Sequence, residues 1–210
     1  MKVAIAVSLG IVEFCCGLAF AAFQSPPLRY TLLYNYDLRH TEENFYSNRL
    51  EALFSKALNS GQGYQVKFKA KPFVELRHSP QRRKMERLST GVELGLDWAD
   101  LLYMAEQFRQ VWRSEPVYNR GVIKNTDMPE AVSIITLSSW LIPNKKILKG
   151  YISGEYTYDF RLGRGARIES IAGLLIPVDK SLEVNMNWRH RDRIHSDDCD
   201  TFEASASYLF

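Results

Sequence analysis

The last ten residues of the chain alternate between apolar and polar side chains. Apolar and aromatic residues fall at every second position and polar ones between them: Phe202, Ala204, Ala206, Tyr208 and Phe210 against Glu203, Ser205 and Ser207, with Leu209 as the exception. A repeat of two residues is the period of a β-strand whose two faces meet different surroundings. Residues 201–210 are therefore predicted to form a strand that finishes on an aromatic face.

The same alternation recurs along most of the chain. Further strands are predicted at residues 28–39, 66–77, 87–96, 131–141, 151–160, 167–176 and 182–191, although 131–141 is rich in β-branched residues with little alternation. Residues 45–58 and 101–113 fit either a strand or a helix. Pro72 lies inside one strand and is expected to mark a bulge or a weak ladder position, because proline has no N–H to donate.

Residues 1–22 have the features of a cleaved secretory signal peptide. Lys2 gives a positive start, residues 3–20 are apolar apart from Glu13, and residues 19–21 offer small side chains for cleavage. A single transmembrane anchor is the alternative, but the apolar run is short for one. Export and removal of this segment would leave residues 23–210 as one mature domain.

Two of the three cysteines, Cys15 and Cys16, lie inside the predicted signal. Glu13 and Phe14 precede them, where a lipid-modified cysteine needs small residues, so a lipoprotein is disfavoured. Cleavage would leave Cys199 as the single thiol. One cysteine cannot form an internal disulfide, and Cys199 is expected to be an unpaired thiol in a loop.

Charge and hydropathy exclude two classes of protein. The formal net charge is only +3 and no basic run is dense, which argues against nucleic-acid binding. No second apolar run is long enough for a membrane-spanning helix. Charged residues instead occupy the polar faces of the predicted strands: Arg39, Arg49, Glu51, Lys67, Lys69, Glu75, Glu93, Glu155, Asp159, Arg167, Glu169 and Arg189.

The alternation fits a soluble β-protein with an apolar interior or a membrane barrel with an apolar exterior. The predicted export signal and the aromatic residues near strand ends, such as Tyr34, Tyr156 and Trp188, favour the membrane barrel, because aromatic girdles mark membrane interfaces. Barrels of single bacterial chains have even strand numbers. Ten strands, with 45–58 as a strand, are self-consistent, and nine are not.

The connections agree with that count. Those after the second, fourth, sixth and eighth strands are short turns, and the others are mostly longer or more charged. This is the pattern of periplasmic turns and extracellular loops. The fold predicted is thus an all-β, transmembrane, antiparallel up-and-down barrel whose charged faces line the lumen.

Several stretches give the chain a resemblance to a known group. Asp97-Trp98 followed by residues 106–112, the hairpin at 156–167 and the ending Tyr208-Leu209-Phe210 resemble small bacterial outer-membrane β-barrel proteins of an uncharacterised family. The resemblance implies an outer-membrane location, contact with lipid and lipopolysaccharide, and recognition of Tyr208 and Phe210 by the barrel-assembly machinery. It implies no activity, cofactor or metal.

The function favoured by the sequence is a non-enzymatic one, either structural or as a pore for ions and small solutes. A lumen filled by ion pairs and an open, charge-selective channel both fit the charged faces, and the filled lumen is favoured. The oligomeric state is left open.

Two other functions are alternatives. One is a hydrolase with a site at the extracellular rim, for which His195 with Asp197 or Asp198 is a weak candidate base and orienting carboxylate, without a recognisable nucleophile. The other is a soluble periplasmic barrel that binds an apolar ligand. No spacing of histidines supports a metal site.

Overall fold

The computed structural model describes residues 26–38, 44–58, 65–79, 84–113, 117–119, 122–124, 127–193 and 198–210. Every regular element in these residues is a β-strand. In chain order they are β1 (Leu28–Asp37), β2 (Phe45–Ala52), β3 (Phe54–Leu58), β4 (Val66–Ser79), β5 (Lys84–Trp98), β6 (Leu102–Arg113), β7 (Val117–Asn119), β8 (Val122–Lys124), β9 (Asp127–Trp140), β10 (Lys149–Asp159), β11 (Arg164–Pro177), β12 (Leu182–Arg193) and β13 (Cys199–Leu209). The predicted signal, residues 1–22, lies outside the described residues.

The large sheet closes on itself. Its strand order is β2-β1-β13-β12-β11-β10-β9-β6-β5-β4-β3, every pairing is antiparallel, and β2 also pairs with β4. The backbone N–H of Phe210 donates to the Leu28 carbonyl at 2.9 Å, which extends the β1–β13 seam. The short β7–β8 hairpin pairs separately, within the connection from β6 to β9.

β2 and β3 together occupy the place of one strand in the barrel wall, and each such place is called a stave. Glu51 pairs with Phe73 and Phe54 with Ala70, so the register against β4 continues across the gap between them. The gap lies opposite Pro72, which has no N–H to donate to the ladder. Pro72 therefore weakens the pairing without causing a bulge, and the bulge in β4–β5 lies between Arg77 and His78.

With β2 and β3 as one stave, the barrel has ten staves. The predicted architecture, the count of ten and the strand assignment of residues 45–58 and 101–113 are all confirmed. Of residues 131–141, residues 131–140 lie in β9 and do alternate: Ser133, Ile135 and Leu137 face outward, while Val132 and Ile134 face inward. Alternation was hidden because the inward Val132 and Ile134 are as apolar as the outward Ile135 and Leu137.

The two ends of the barrel differ. The turn end carries the connections at residues 59–65, 99–101, 141–148 and 178–181, and the loop end carries those at 38–44, 80–83, 114–126, 160–163 and 194–198. The predicted contrast in length is not strict, because 141–148 at the turn end is longer than 160–163 at the loop end.

The barrel is polar inside and apolar outside. Among the described residues, more polar than apolar side chains are buried, including Glu169, Asn35 and Thr157, which are at most 2% exposed. Large apolar side chains cover the outer wall, where Ile152 is 59% and Ile135 55% exposed. This inverts the burial of a water-soluble protein and matches a wall in contact with lipid.

No helix in the described part of the chain is long and apolar enough to cross a membrane.

Candidate functional site: the charged lumen

The charged lumen is built by the inward-facing positions of the staves. Of the charged residues predicted to line it, these lie on buried or partly buried positions of the strands: Arg49, Glu51, Lys67, Lys69, Glu75, Glu93, Glu155, Asp159, Arg167, Glu169 and Arg189. Arg39 lies outside the described residues. The structure brings most of them into shared clusters of ion pairs.

The first cluster is centred on Glu169 of β11. Arg191 Nε donates to Glu169 Oε1 at 2.7 Å and Arg167 Nε lies 2.9 Å from the same atom. Arg189 Nη1 contacts the other carboxylate oxygen of Glu169. Three guanidinium groups thus converge on a carboxylate that is 2% exposed, and this arrangement compensates the cost of its burial.

Arg189 links this cluster to two more carboxylates. Its Nη1 lies 3.1 Å from Glu155 Oε2 and its Nε 3.2 Å from Glu203 Oε2. Asn35 donates to the second oxygen of Glu203 at 3.1 Å. One arginine is therefore shared by Glu155, Glu169 and Glu203, which come from three different strands.

The second cluster surrounds Glu130 of β9. Arg109 Nη2 lies 2.7 Å from Glu130 Oε2, and the same oxygen is 3.8 Å from Arg87 Nη2 and 4.0 Å from Arg167 Nη2. Because Arg167 also contacts Glu169, the two clusters form one continuous network. We call this chain of guanidinium and carboxylate groups the ion-pair network.

A third cluster lies nearer the turn end. Glu93 accepts hydrogen bonds from Lys71 and the Tyr103 hydroxyl, both at 2.6 Å, and from Gln107 at 3.1 Å. Lys69 pairs with Asp97, four residues beyond Glu93 on β5. Each lysine of this cluster thus has a close carboxylate partner.

Between the turn end and the ion-pair network the lumen is not filled. A cavity of about 450 Å³ occupies this space. Lys69, Lys71 and Tyr103 line it, and so do several apolar residues, among them Leu33, Ile134, Ile171 and Leu175. Glu155, Arg189 and Glu203 of the ion-pair network, together with Asn187, also line this cavity.

Several lumen residues escaped the sequence prediction. They are Asp97, Tyr103, Arg109 and Glu130. Glu130 falls in what the sequence presents as a long connection, but β9 begins at Asp127. The two-residue alternation of β6 could have predicted Arg109, because Arg109 shares the inward face with Gln107 and Val111.

The structure describes only one residue of the predicted rim site. His195 and Asp197 lie outside the described residues, and Asp198 is exposed just before β13. His190 Nδ1 lies 2.8 Å from Asp200 Oδ1, but His190 is an outward residue that stacks on Trp188. In the described part of the chain, no group of three or more His, Cys, Asp or Glu side chains could hold a metal ion.

One sequence prediction is wrong. Cys199 is the first residue of β13 rather than part of a loop, and its side chain is fully buried. Its sulfur lies 3.7 Å from Asp37 Oδ1 of the neighbouring β1. The alternation extends two residues further than the sequence indicated, because Cys199 and Thr201 continue the inward face.

No family model matches the chain, and no curated protein matches it in sequence. Among solved structures, it is similar to the NanC porin, with 10% identity, coverage of 85% of this chain and 98% of that one, and a TM-score of 0.47. The KdgM porin gives 12% identity, coverage of 88% and 99%, and a TM-score of 0.43. The outer membrane protein opdK from Pseudomonas aeruginosa has 11% identity, with coverage of 87% of this chain and 57% of that one, and a TM-score of 0.40.

These similarities are too weak to carry an argument about function. The class of protein follows instead from the closed strand order and from the inverted burial described above. This chain is a transmembrane β-barrel of ten staves with a charged lumen.

Proposed function

We propose that the chain is a non-enzymatic outer-membrane protein that forms a narrow channel for ions and small polar solutes. The observation that carries this proposal is the cavity of about 450 Å³, which leaves the turn-end part of the lumen open. A purely structural barrel has no need of such a space. Its charged and hydroxyl-bearing lining is the kind that selects solutes in narrow pores.

The ion-pair network forms the constriction of the proposed channel. Glu155, Glu169 and Glu203 share Arg189, and Glu130 has three arginines within 4.0 Å. Glu130, Glu169 and Glu203 therefore each have an alternative partner within reach. Pairs can exchange as a solute passes, without leaving a buried charge uncompensated, which would be costly.

The outer membrane is the proposed location. The apolar outer wall and the predicted signal at residues 1–22 support it, with the turn end facing the periplasm as short turns do in such barrels. Lipid and lipopolysaccharide are the proposed partners of the outer wall. Tyr208 and Phe210, which pack edge to face at 4.9 Å on that wall, are the proposed contact for the barrel-assembly machinery.

Conductance of the refolded protein in planar bilayers tests the channel. We expect discrete, small steps, and larger steps from the double variant Glu155→Ala/Arg189→Ala, because it removes part of the constriction. This variant keeps Glu169 paired with Arg167 and Arg191, and Glu203 with Asn35.

The matched control is Arg29→Ala/Glu183→Ala. It removes the same number of charges from a pair 3.7 Å apart near the turn end, so its steps should equal those of the natural protein. Folding is checked by the heat-dependent shift of the barrel on gels. Silence from both the natural protein and the Glu155→Ala/Arg189→Ala variant, with folding intact, would refute the channel.

A further inference from the structure

The inner wall of the cavity is rich in hydrogen-bond acceptors. We call Glu155, Asn187, Arg189 and Glu203, which all line the cavity, the cavity floor. Asn187 is 6% exposed and Glu203 4% exposed, so the floor is screened from bulk water. A polar group in such a position is stable only with a hydrogen-bond partner.

The cavity floor itself carries two carboxylates and one guanidinium group. Elsewhere in the cavity, Lys69 is matched by Asp97 and Lys71 by Glu93. On the floor, Arg189 alone faces both Glu155 and Glu203. Arg189 also contacts Glu169, which has Arg167 and Arg191 as further partners.

Asn187 adds an unused acceptor to this floor. Its Oδ1 is buried and has no hydrogen-bond donor among the described residues. Leaving a buried acceptor unpaired typically costs about 1–3 kcal/mol. The floor therefore holds a carboxylate in excess and an amide oxygen that lacks a donor, both in the same cavity.

The apolar side chains of the cavity lining, here called the apolar wall, limit which solute fits. They include Leu33 on β1, Ile134 on β9, and Ile171 and Leu175 on β11. An inorganic cation would leave this wall in contact with water only. An organic cation with a short apolar body would cover the wall and release that water, which is favourable in proportion to the apolar area buried.

We propose that the cavity is a binding site for a small organic ammonium ion. Its N–H groups donate to Glu155, Glu203 and the Asn187 amide oxygen, and its apolar body packs against Ile134 and Ile171. This names a solute class for the lumen proposed above, but the binding itself does not require that solutes cross the barrel.

Isothermal titration calorimetry of the refolded, detergent-solubilised protein tests the site, with benzylammonium as the probe. Benzyl alcohol and benzoate have the same ring with no charge and with negative charge. We expect benzylammonium to bind at least about tenfold more tightly than either, since a hydrogen bond to a charged group contributes about 1.5–3 kcal/mol. Equal binding of the three, or tighter binding of benzoate, would overturn the proposal.

Two variants locate the site. Glu155→Gln keeps the shape of the floor and should weaken benzylammonium binding about tenfold. Glu183→Gln removes a carboxylate near the turn end, where Glu183 pairs with Arg29, and should leave binding unchanged. Equal affinities of the natural protein and Glu155→Gln would contradict the assignment.

A measurement on the natural protein needs no variant. Titration with benzylammonium should shift the side-chain amide NMR signals of Asn187 but not those of Asn48, which lies on the outer wall. Binding without conductance would refute the channel and leave this site standing. Conductance without binding would refute the site alone.

Discussion

The ring of Tyr151 lies over Gly173, its register partner on the facing strand. A methyl group at Gly173 would lie 2.5 Å from Tyr151 Cζ, which is closer than van der Waals contact permits. The Tyr151 hydroxyl also donates to Asn185 Oδ1 at 3.0 Å. Gly173 is therefore needed for the position of an aromatic ring that lines the cavity, and Tyr103 covers Gly95 in the same way.

Replacing Gly173 by alanine should push the Tyr151 ring toward the cavity and destabilise the barrel. Overpacking of this kind costs about 1–3 kcal/mol. The measurement is urea unfolding in lipid vesicles. Gly154→Ala is the matched control on β10, because nothing lies within 4 Å of the added methyl group there; equal stabilities of the two variants would show that the ring does not require Gly173.

Replacing Glu169 by glutamine should be among the most damaging single changes in the lumen. It leaves Arg167, Arg189 and Arg191 around a neutral group, and breaking a buried charge cluster costs about 3–5 kcal/mol. The same urea titration measures the loss.

The control for this change is Glu183→Gln. Glu183 is 35% exposed and lies 3.7 Å from Arg29, and partly exposed ion pairs contribute only about 0–1 kcal/mol. A loss at Glu169 no larger than that at Glu183 would mean that the ion-pair network does not stabilise the fold.

Much of the fold could be predicted from the sequence, because successive side chains of each strand point alternately to the lumen and to the lipid. Glu155 and Glu169 alternate with the apolar outward residues Tyr156 and Ile168, so both carboxylates could be assigned to the polar face. The assignment failed where both faces have similar polarity, as in β9, where Val132 and Ile134 face the lumen.

The partners within the lumen could not be predicted. Which carboxylate meets Arg189 depends on the stagger of neighbouring strands around the barrel, and the bulge between Thr157 and Tyr158 changes the β10–β11 register. The two-residue repeat of the sequence determines neither the stagger of the strands nor the position of the bulge. The cavity likewise depends on which long side chains turn away from it, and this is decided by the ion pairs.

Glu106 breaks the apolar pattern of the outer wall. It is an outward residue of β6 between Met104 and Phe108, which are 42% and 44% exposed, and it accepts a hydrogen bond from Ser133 at 3.1 Å. The β5–β6 register continues without a shift through Glu106, so this residue places a carboxylate on the lipid-facing side.

Glu106→Leu should stabilise the barrel in lipid vesicles by about 1 kcal/mol, since acidic side chains on the lipid face are unfavourable. Ser133→Ala, which removes the hydrogen bond but keeps the carboxylate, should instead lower the stability. Urea unfolding of both variants gives the comparison. If Glu106→Leu unfolds at lower urea than the natural protein, the carboxylate stabilises the barrel, and its hydrogen bond with Ser133 outweighs the cost of placing it in lipid.

The burial of Cys199 predicts slow thiol chemistry in the folded state. A membrane-impermeant maleimide should label Cys199 only after heat unfolding, because its side chain is 0% exposed beside Asp37 and a buried thiol reacts poorly. The control is Asp198→Cys/Cys199→Ser, which moves the thiol to the adjacent exposed position and should be labelled in the folded barrel. Both proteins are prepared without residues 1–22, which removes Cys15 and Cys16. If Cys199 in the folded barrel is labelled as fast as the control, this end of the lumen opens to the reagent.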